Sequence, residues 1–144
     1  MTQSSAYSMK NVAATVNGQP VIGFWDGDDA VQIAPLADVG TMMVGADGSS
    51  IFSQSANEGA TITLRLQHTS PTHKLLMQQM ALQRARGIRL TGFPVSVIDT
   101  DSQEGGATDQ AFIQQAPTDS KGVNAQAREW VLVTGSWRPQ ASNA

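Results

Sequence analysis

The sequence predicts a mainly β domain of α+β type, a sandwich or barrel of short strands with one α-helix on its flank. Apolar and polar residues alternate in several short runs, turns rich in Gly, Asn and Asp separate those runs, and a single segment has helical spacing between a start and a stop signal. The 144 residues suit one domain, and a hydrophobic content of 40% supplies one core. A single domain over residues 1–144 is expected, with a loose N-terminal segment to about residue 8 and a loose tail from about residue 138.

Val12 to Val16 and Val21 to Trp25 flank Asn17-Gly18-Gln19-Pro20. Asn-Gly between β-prone runs predicts a hairpin, because a type I′ turn needs positive φ at both central residues. Asp26-Gly27-Asp28-Asp29 reads as a turn, and Val31 to Ile33 as a short strand interrupted by Pro35. A second hairpin is predicted from Thr41 to Val44, the turn Gly45-Ala46-Asp47-Gly48, and the return through Ile51 and Phe52. In Ala60-Thr61-Ile62-Thr63-Leu64-Arg65-Leu66 the period is two, which places Ile62, Leu64 and Leu66 on a core face.

Ser70-Pro71 opens the one helical segment, which runs to Arg84 and Arg86 before Gly87. Leu75, Leu76, Met80 and Gln83 share one side, and the terminal cations complement the helix dipole. Further strands are predicted at Phe93–Ile98, Asp109–Gln115 and Glu129–Thr134, with loops at Asp99–Thr108 and Ala116–Ala127. The chain from Pro139 is expected to fray.

The net charge is −3, and clustered Lys and Arg of the kind that grips phosphates are not a feature of the whole chain. The order of charges is more telling. Residues 26–64 carry six acids and no Lys or Arg, residues 65–89 carry five cations and no acid, and residues 90–127 are acidic again. These blocks either pair within one subunit or face solvent, or they form complementary faces between identical copies. No apolar run approaches the length of a membrane span, and the opening residues have no signal-peptide pattern, so a soluble, unexported chain without membrane insertion is expected.

Cysteine is absent, which excludes disulfides, thiolate metal sites and cysteine nucleophiles. His68 and His73 lack a third ligand at a suitable spacing, and Asp26 to Asp29 lacks the distal Glu of a calcium loop. No phosphate loop, nucleophile elbow or paired-histidine motif occurs. Neither catalytic residues nor a cofactor or metal site are expected, and an enzyme has no positive support. Trp25, Trp130 and Trp137 suit core or interface packing better than a sugar platform, and Met42, Met43, Met77 and Met80 suit core filling or adaptable contact surface.

Taken in order, Tyr7-Ser8, Asn11-Val12, Val16-Asn17-Gly18, Gly23-Phe24, Asp26-Gly27, Val44-Gly45-Ala46-Asp47-Gly48, Thr61-Ile62-Thr63-Leu64, Ser70-Pro71, Gly92-Phe93-Pro94 and Arg128-Glu129-Trp130 resemble the tail tube proteins of contractile-tailed bacteriophages. The similarity spreads from about residue 7 to residue 135 and lies in the order of many short elements. Those relatives tend to place basic residues after the Ala-Asp-Gly turn, where this chain has Ser49-Ser50-Ile51-Phe52-Ser53-Gln54.

The resemblance implies hexameric rings that share one β-barrel, each subunit giving four long strands, stacked into a tube for DNA ejection. Strand spacing and tilt put such a barrel at roughly 45–50 Å across its backbone, wide enough for duplex DNA of roughly 20 Å. An acidic lumen would let phosphates slide, since six copies at −3 give −18 per ring. The implied partners are further copies of the chain, a tail sheath protein, baseplate and tail terminator proteins, and, in the lumen, a tape measure protein and genomic DNA bound without sequence preference. The implied location is the virion tail tube, reached from the host cytoplasm during assembly. Candidate inter-ring residues are Lys10 in the polar N-terminal segment and Ala46, Asp47, Gly48 and Ser49 at the second hairpin tip. Lys74, Arg84 and Arg86 on the helix are candidates to face the sheath. Two other readings remain open: the inner tube or baseplate ring of a related contractile machine, and a carbohydrate-binding β-sandwich using the tryptophans.

Overall fold

The computed structural model describes residues 6–85 and 91–141. Ten strands are seen among them: β1 (Val12–Val16), β2 (Gln19–Pro20), β3 (Val31–Pro35), β4 (Gly40–Val44), β5 (Ser50–Gln54), β6 (Ala60–Gln67), β7 (Phe93–Asp99), β8 (Gly105–Gln115), β9 (Ala127–Thr134) and β10 (Arg138–Gln140). The one α-helix, α1 (Thr72–Arg84), follows β6. Eight strands form an antiparallel sheet in the order β2-β1-β7-β8-β9-β6-β3, with β10 also paired to β8, while β4 and β5 make a separate two-stranded ribbon. The expected mainly β architecture with one helix is therefore what the chain adopts.

The period-two pattern does what it predicts. Ala60, Ile62, Leu64 and Leu66 of β6 are buried, as are Trp130 and Leu132 of β9, Phe93, Val95 and Val97 of β7, and Ala14 and Val16 of β1. All of these except Ala60 join Leu76 of α1 in one core. Each large side chain so buried contributes on the order of 1.5–3 kcal/mol.

α1 starts one residue later than its sequence signals suggest, with Pro71 at the cap position and Ser70 Oγ accepting from the Thr72 amide. Ser70 also donates to the Ile22 carbonyl, so the start of the helix is tied to the chain leaving β2. Leu76 is buried and Leu75 and Met80 pack against the core, on the side expected.

Three expectations need correction. The first hairpin turns at Asn17 (φ 53°) and Gly18 (φ 80°) as predicted, yet its second strand stops at Pro20 and does not run from Val21 to Trp25. Gly23 (φ 81°) redirects the chain, whose carbonyl then accepts from Gln67 of β6, and a Cβ at Gly23 would stand 2.9 Å from Cβ of Ser70. The strand predicted at Asp109–Gln115 begins at Gly105, because Gly105 and Gly106 pair with Ile98 and Val97 of β7. Finally, the tail expected to be loose from about residue 138 is ordered as β10, in which Pro139 lies at an edge position where its missing N–H is tolerated. Residues 142–144, and residues 1–5 of the N-terminal segment, lie outside the described residues.

Candidate assembly surfaces

The most exposed apolar element is the β4–β5 arm. It is inserted between β3 and β6, which pair with each other, and continues past the end of that ribbon. Met42 stands opposite Phe52 on one side of the arm and Met43 opposite Ile51 on the other. All four are more than half exposed, at 59%, 54%, 61% and 60%, and Val39 and Val44 are exposed as well. Met42 and Met43 thus belong to surface and not to core. At the arm's tip Asp47 accepts from the Ser49 amide at 3.0 Å, a bond that pulls its carboxyl below the ordinary value. Ala46, Asp47, Gly48 and Ser49 are all exposed there. Lys10, exposed in a 3-10 turn at Met9–Asn11, is the remaining inter-ring candidate.

On α1 the exposed residues Lys74, Met77, Gln78, Ala81, Leu82 and Arg84 form a strip. Lys74 and Arg84 have no carboxylate within salt-bridge distance among the described residues. Arg86 lies outside the described residues. Elsewhere opposite charges do meet inside the subunit. Arg65 reaches Asp29 at 3.3 Å and Glu129 at 3.2 Å, Arg128 reaches Asp119 at 2.8 Å, and Arg138 reaches Asp109 at 3.2 Å. The acidic and basic blocks are thus partly neutralised within one copy, and among the described residues Lys74 and Arg84 of α1, like Lys10, face outward without a carboxylate partner.

A cleft of about 480 Å³ opens between the two ends of the sheet path, where β1 and β3 approach without pairing. Val12, Ile33 and Val97 give it apolar walls, and Asp28, Asp99 and Glu104 also line it. This seam was not visible in the sequence, because it depends on which strands end the sheet.

The tryptophans do not form a common platform. Trp130 is buried in the core at 1% exposure, where its Nε1 donates to His73 Nδ1 at 2.9 Å. Trp137 lies over Gly106, and Trp25 is half-buried with its amide bonded to the Arg65 carbonyl. His73 has its second nitrogen on the Gln67 carbonyl at 2.8 Å, so both ring nitrogens have a structural role. No group of three metal-binding side chains, and no helix long and apolar enough to cross a membrane, occurs among the described residues.

Comparison with known proteins gives a consistent picture. The family model described as bacteriophage PhiTE tail tube protein matches residues 4–138. No curated protein matches by sequence. Among solved structures, one titled as the sheath/tube terminator of an extracellular contractile injection system in the extended state superposes with a TM-score of 0.67 at 14% identity, covering 96% of this chain and 99% of that one. A tube terminating cap of the anti-feeding prophage gives 0.63 at 10% identity, covering 99% and 95%. The sheath-tube complex of an extracellular contractile injection system gives 0.61 at 14% identity, covering 94% and 92%. At such identities the likeness is one of fold.

Proposed function

The chain belongs to the bacteriophage PhiTE tail tube protein family, and from that premise we propose that it builds the tube of a contractile phage tail. Its role is structural. Six copies close each ring through shared sheets, rings stack into a channel, and the channel carries genomic DNA from the capsid to the host cell during ejection. The observation that supports this most directly is the β4–β5 arm, whose large apolar side chains have no cover in the single copy. A two-stranded ribbon in water is marginal by itself. Exposed apolar surface of this extent marks an interaction site.

A contact between unlike patches of identical subunits propagates a filament, so an arm reaching the next copy suits a tube. Lys10 and the tip residues Ala46, Asp47, Gly48 and Ser49 are the proposed inter-ring contacts. The strip on α1 bearing Lys74 and Arg84 is the proposed face toward a tail sheath protein. Arg86 follows it in sequence. Baseplate and terminator proteins would meet the two tube ends, and a tape measure protein and DNA would occupy the lumen without sequence-specific binding. The net charge of −3 per copy favours sliding of phosphates over adhesion. Assembly in the host cytoplasm and residence in the virion follow from that role.

Negative-stain electron microscopy of the purified protein at high concentration tests the reading, and long hollow tubes are expected. The fold likeness to two terminating proteins keeps a second reading, a terminal ring, for which single rings would be seen instead. A stable monomer at every concentration would overturn both. Removing residues 46–49 is expected to abolish polymerisation while the sheet still folds, and unchanged polymerisation would remove the tip from the interface.

A further inference from the structure

We propose that His73 is a proton-operated latch: in its neutral form it seats the indole of Trp130 and pins the first turn of α1, and protonation opens that contact. The latch belongs to the single subunit and works whether or not copies assemble.

The two partners leave the ring one usable form. Trp130 is buried at 1% exposure, and its Nε1 donates to Nδ1 of His73 at 2.9 Å. An indole N–H has no other mode, so Nδ1 must keep its lone pair. The opposite nitrogen, Nε2, stands 2.8 Å from the carbonyl oxygen of Gln67, which can only accept. Neutral imidazole with its proton on Nε2 satisfies both at once. A second proton goes to Nδ1 and brings two N–H donors face to face. Turning the ring over gives no escape, because both nitrogens of the cation are donors. The ring has to withdraw, and the indole N–H of Trp130 is then left in the core without its acceptor. His73 itself is half-buried, so a proton reaches it without unfolding of the chain.

The surroundings offer the cation no compensation. His73 is the second residue of α1, where the positive end of the helix dipole opposes a positive charge. α1 carries no acid, and its next residue is Lys74. On β9, Arg128 lies on the same face as Trp130, with its charge met by Asp119, while Glu129 is turned to the other face and pairs with Arg65. Across from these on β6 stand Leu64 and Leu66. The turn before the helix holds one titratable group, His68, and the segment from Val21 to Trp25 that meets Ser70 and Thr72 is uncharged. No carboxylate among the described residues comes within salt-bridge distance of the ring. The contact is therefore complete at neutral and basic pH. Its loss begins where an unfolded histidine takes up its proton, near about pH 6.5, because the unfolded chain gains that proton without losing a bond. With the ring displaced, the first turn of α1, including the exposed Lys74, is held through the hydroxyls of Ser70 and Thr72, which bond Ile22.

The chain has two histidines, so one control separates them. Thermal unfolding is followed by circular dichroism at about pH 8 and about pH 5.5, a span that covers the histidine range, for the parent, His73→Asn and His68→Asn. Asparagine at 73 keeps an acceptor for the indole and has nothing to titrate. The parent and His68→Asn are expected to lose about 2–5 °C more in Tm over that span than His73→Asn does, the size of shift that one stranded buried donor causes in a domain of this length. A second measurement uses the parent alone, below the concentration at which it polymerises. Of the three indole N–H resonances in its ¹⁵N spectrum, the slowly exchanging one of the buried Trp130 should shift together with the ring protons of His73 as the pH falls. Equal losses in the parent and His73→Asn, or a Trp130 resonance that stays still while His73 titrates, would overturn the latch. Should His73→Asn fail to fold, the indole resonance decides by itself.

Discussion

The side-chain amide of Gln83 pairs with both backbone groups of Ile113: Nε2 donates to the carbonyl at 2.9 Å and Oε1 accepts from the amide at 2.9 Å. Ile113 stands opposite Leu132 of β9, and on its other side β7 has not yet begun, since Phe93 pairs with Ala111. One glutamine of the helix thus takes the place of a missing strand residue and closes the upper edge of β8. It also explains why the helix sits where it does, beyond the apolar contacts of Leu76.

Gln83→Ala removes both partners at once and leaves two largely buried backbone groups unsatisfied. Each such group costs about 1–3 kcal/mol, so a loss of about 2–4 kcal/mol in unfolding free energy is expected from urea denaturation. A change below about 0.5 kcal/mol, the size of an ordinary surface substitution, would show that the pairing does not stabilise the fold.

The contact between Trp130 and His73 has a fixed sense. The indole N–H can only donate, so His73 Nδ1 accepts and Nε2 carries the proton that meets the Gln67 carbonyl. His73→Ala strands the indole N–H in the core and is expected to cost about 1–3 kcal/mol. His73→Asn restores an acceptor and should recover part of that. The two variants need to be compared by thermal unfolding, and equal stability of His73→Ala and the parent would refute the assignment.

Much of this fold was legible in the sequence, and the exceptions share a cause. Asn17-Gly18, the alternation around Ile62 and the helix between Ser70 and Arg84 are local signals that tertiary packing leaves unchanged. By contrast, Val21–Trp25 is β-prone in composition, yet the bonds of Gly23 to Gln67 and of Ser70 to Ile22 pull it out of the hairpin. The Gly105-Gly106 pair reads as a loop because glycine weakens strands, and only the packing of Trp137 reveals why it is there. The assembly surfaces were half visible. The hairpin tip follows from turn chemistry, while the seam between β1 and β3 is a property of sheet order that no short window of sequence contains.

Asp119 gives the loop before β9 a pH dependence. Hydrogen bonds from Lys121 first, and then Arg128, hold its carboxyl below the ordinary value. A depressed carboxyl contributes stability that is present above its unfolded-state pKa and lost as the pH falls through the folded one. Arg128 should therefore lose its anchor only at the acid end, below the ordinary carboxylate range, and salt should weaken the pair because Asp119 is exposed. Limited proteolysis of residues 116–126 is expected to accelerate on acidification for the parent protein, measured with an acid-active protease. Asp119→Asn should cleave rapidly at neutral pH already. A parent loop equally protected across the whole range would exclude this anchor.

Gly106 is required for a different reason from a turn glycine, since its backbone pairs with Val97 and its open face receives Trp137. A Cβ there would stand 2.5 Å from Cζ2 of Trp137 and 2.7 Å from the carbonyl oxygen of Arg138. The indole could swing aside, but the carbonyl belongs to β10, so an added methyl must push that strand off β8. Gly106→Ala is expected to cost about 1–3 kcal/mol as overpacking and to release β10, together with the ion pair of Arg138 and Asp109 at 3.2 Å. Hydrogen exchange separates the two effects: faster exchange confined to residues 105–107 and 138–140 reports release of the edge strand. If those amides stay protected in Gly106→Ala, Trp137 alone has absorbed the methyl, and the seating of β10 does not depend on this glycine.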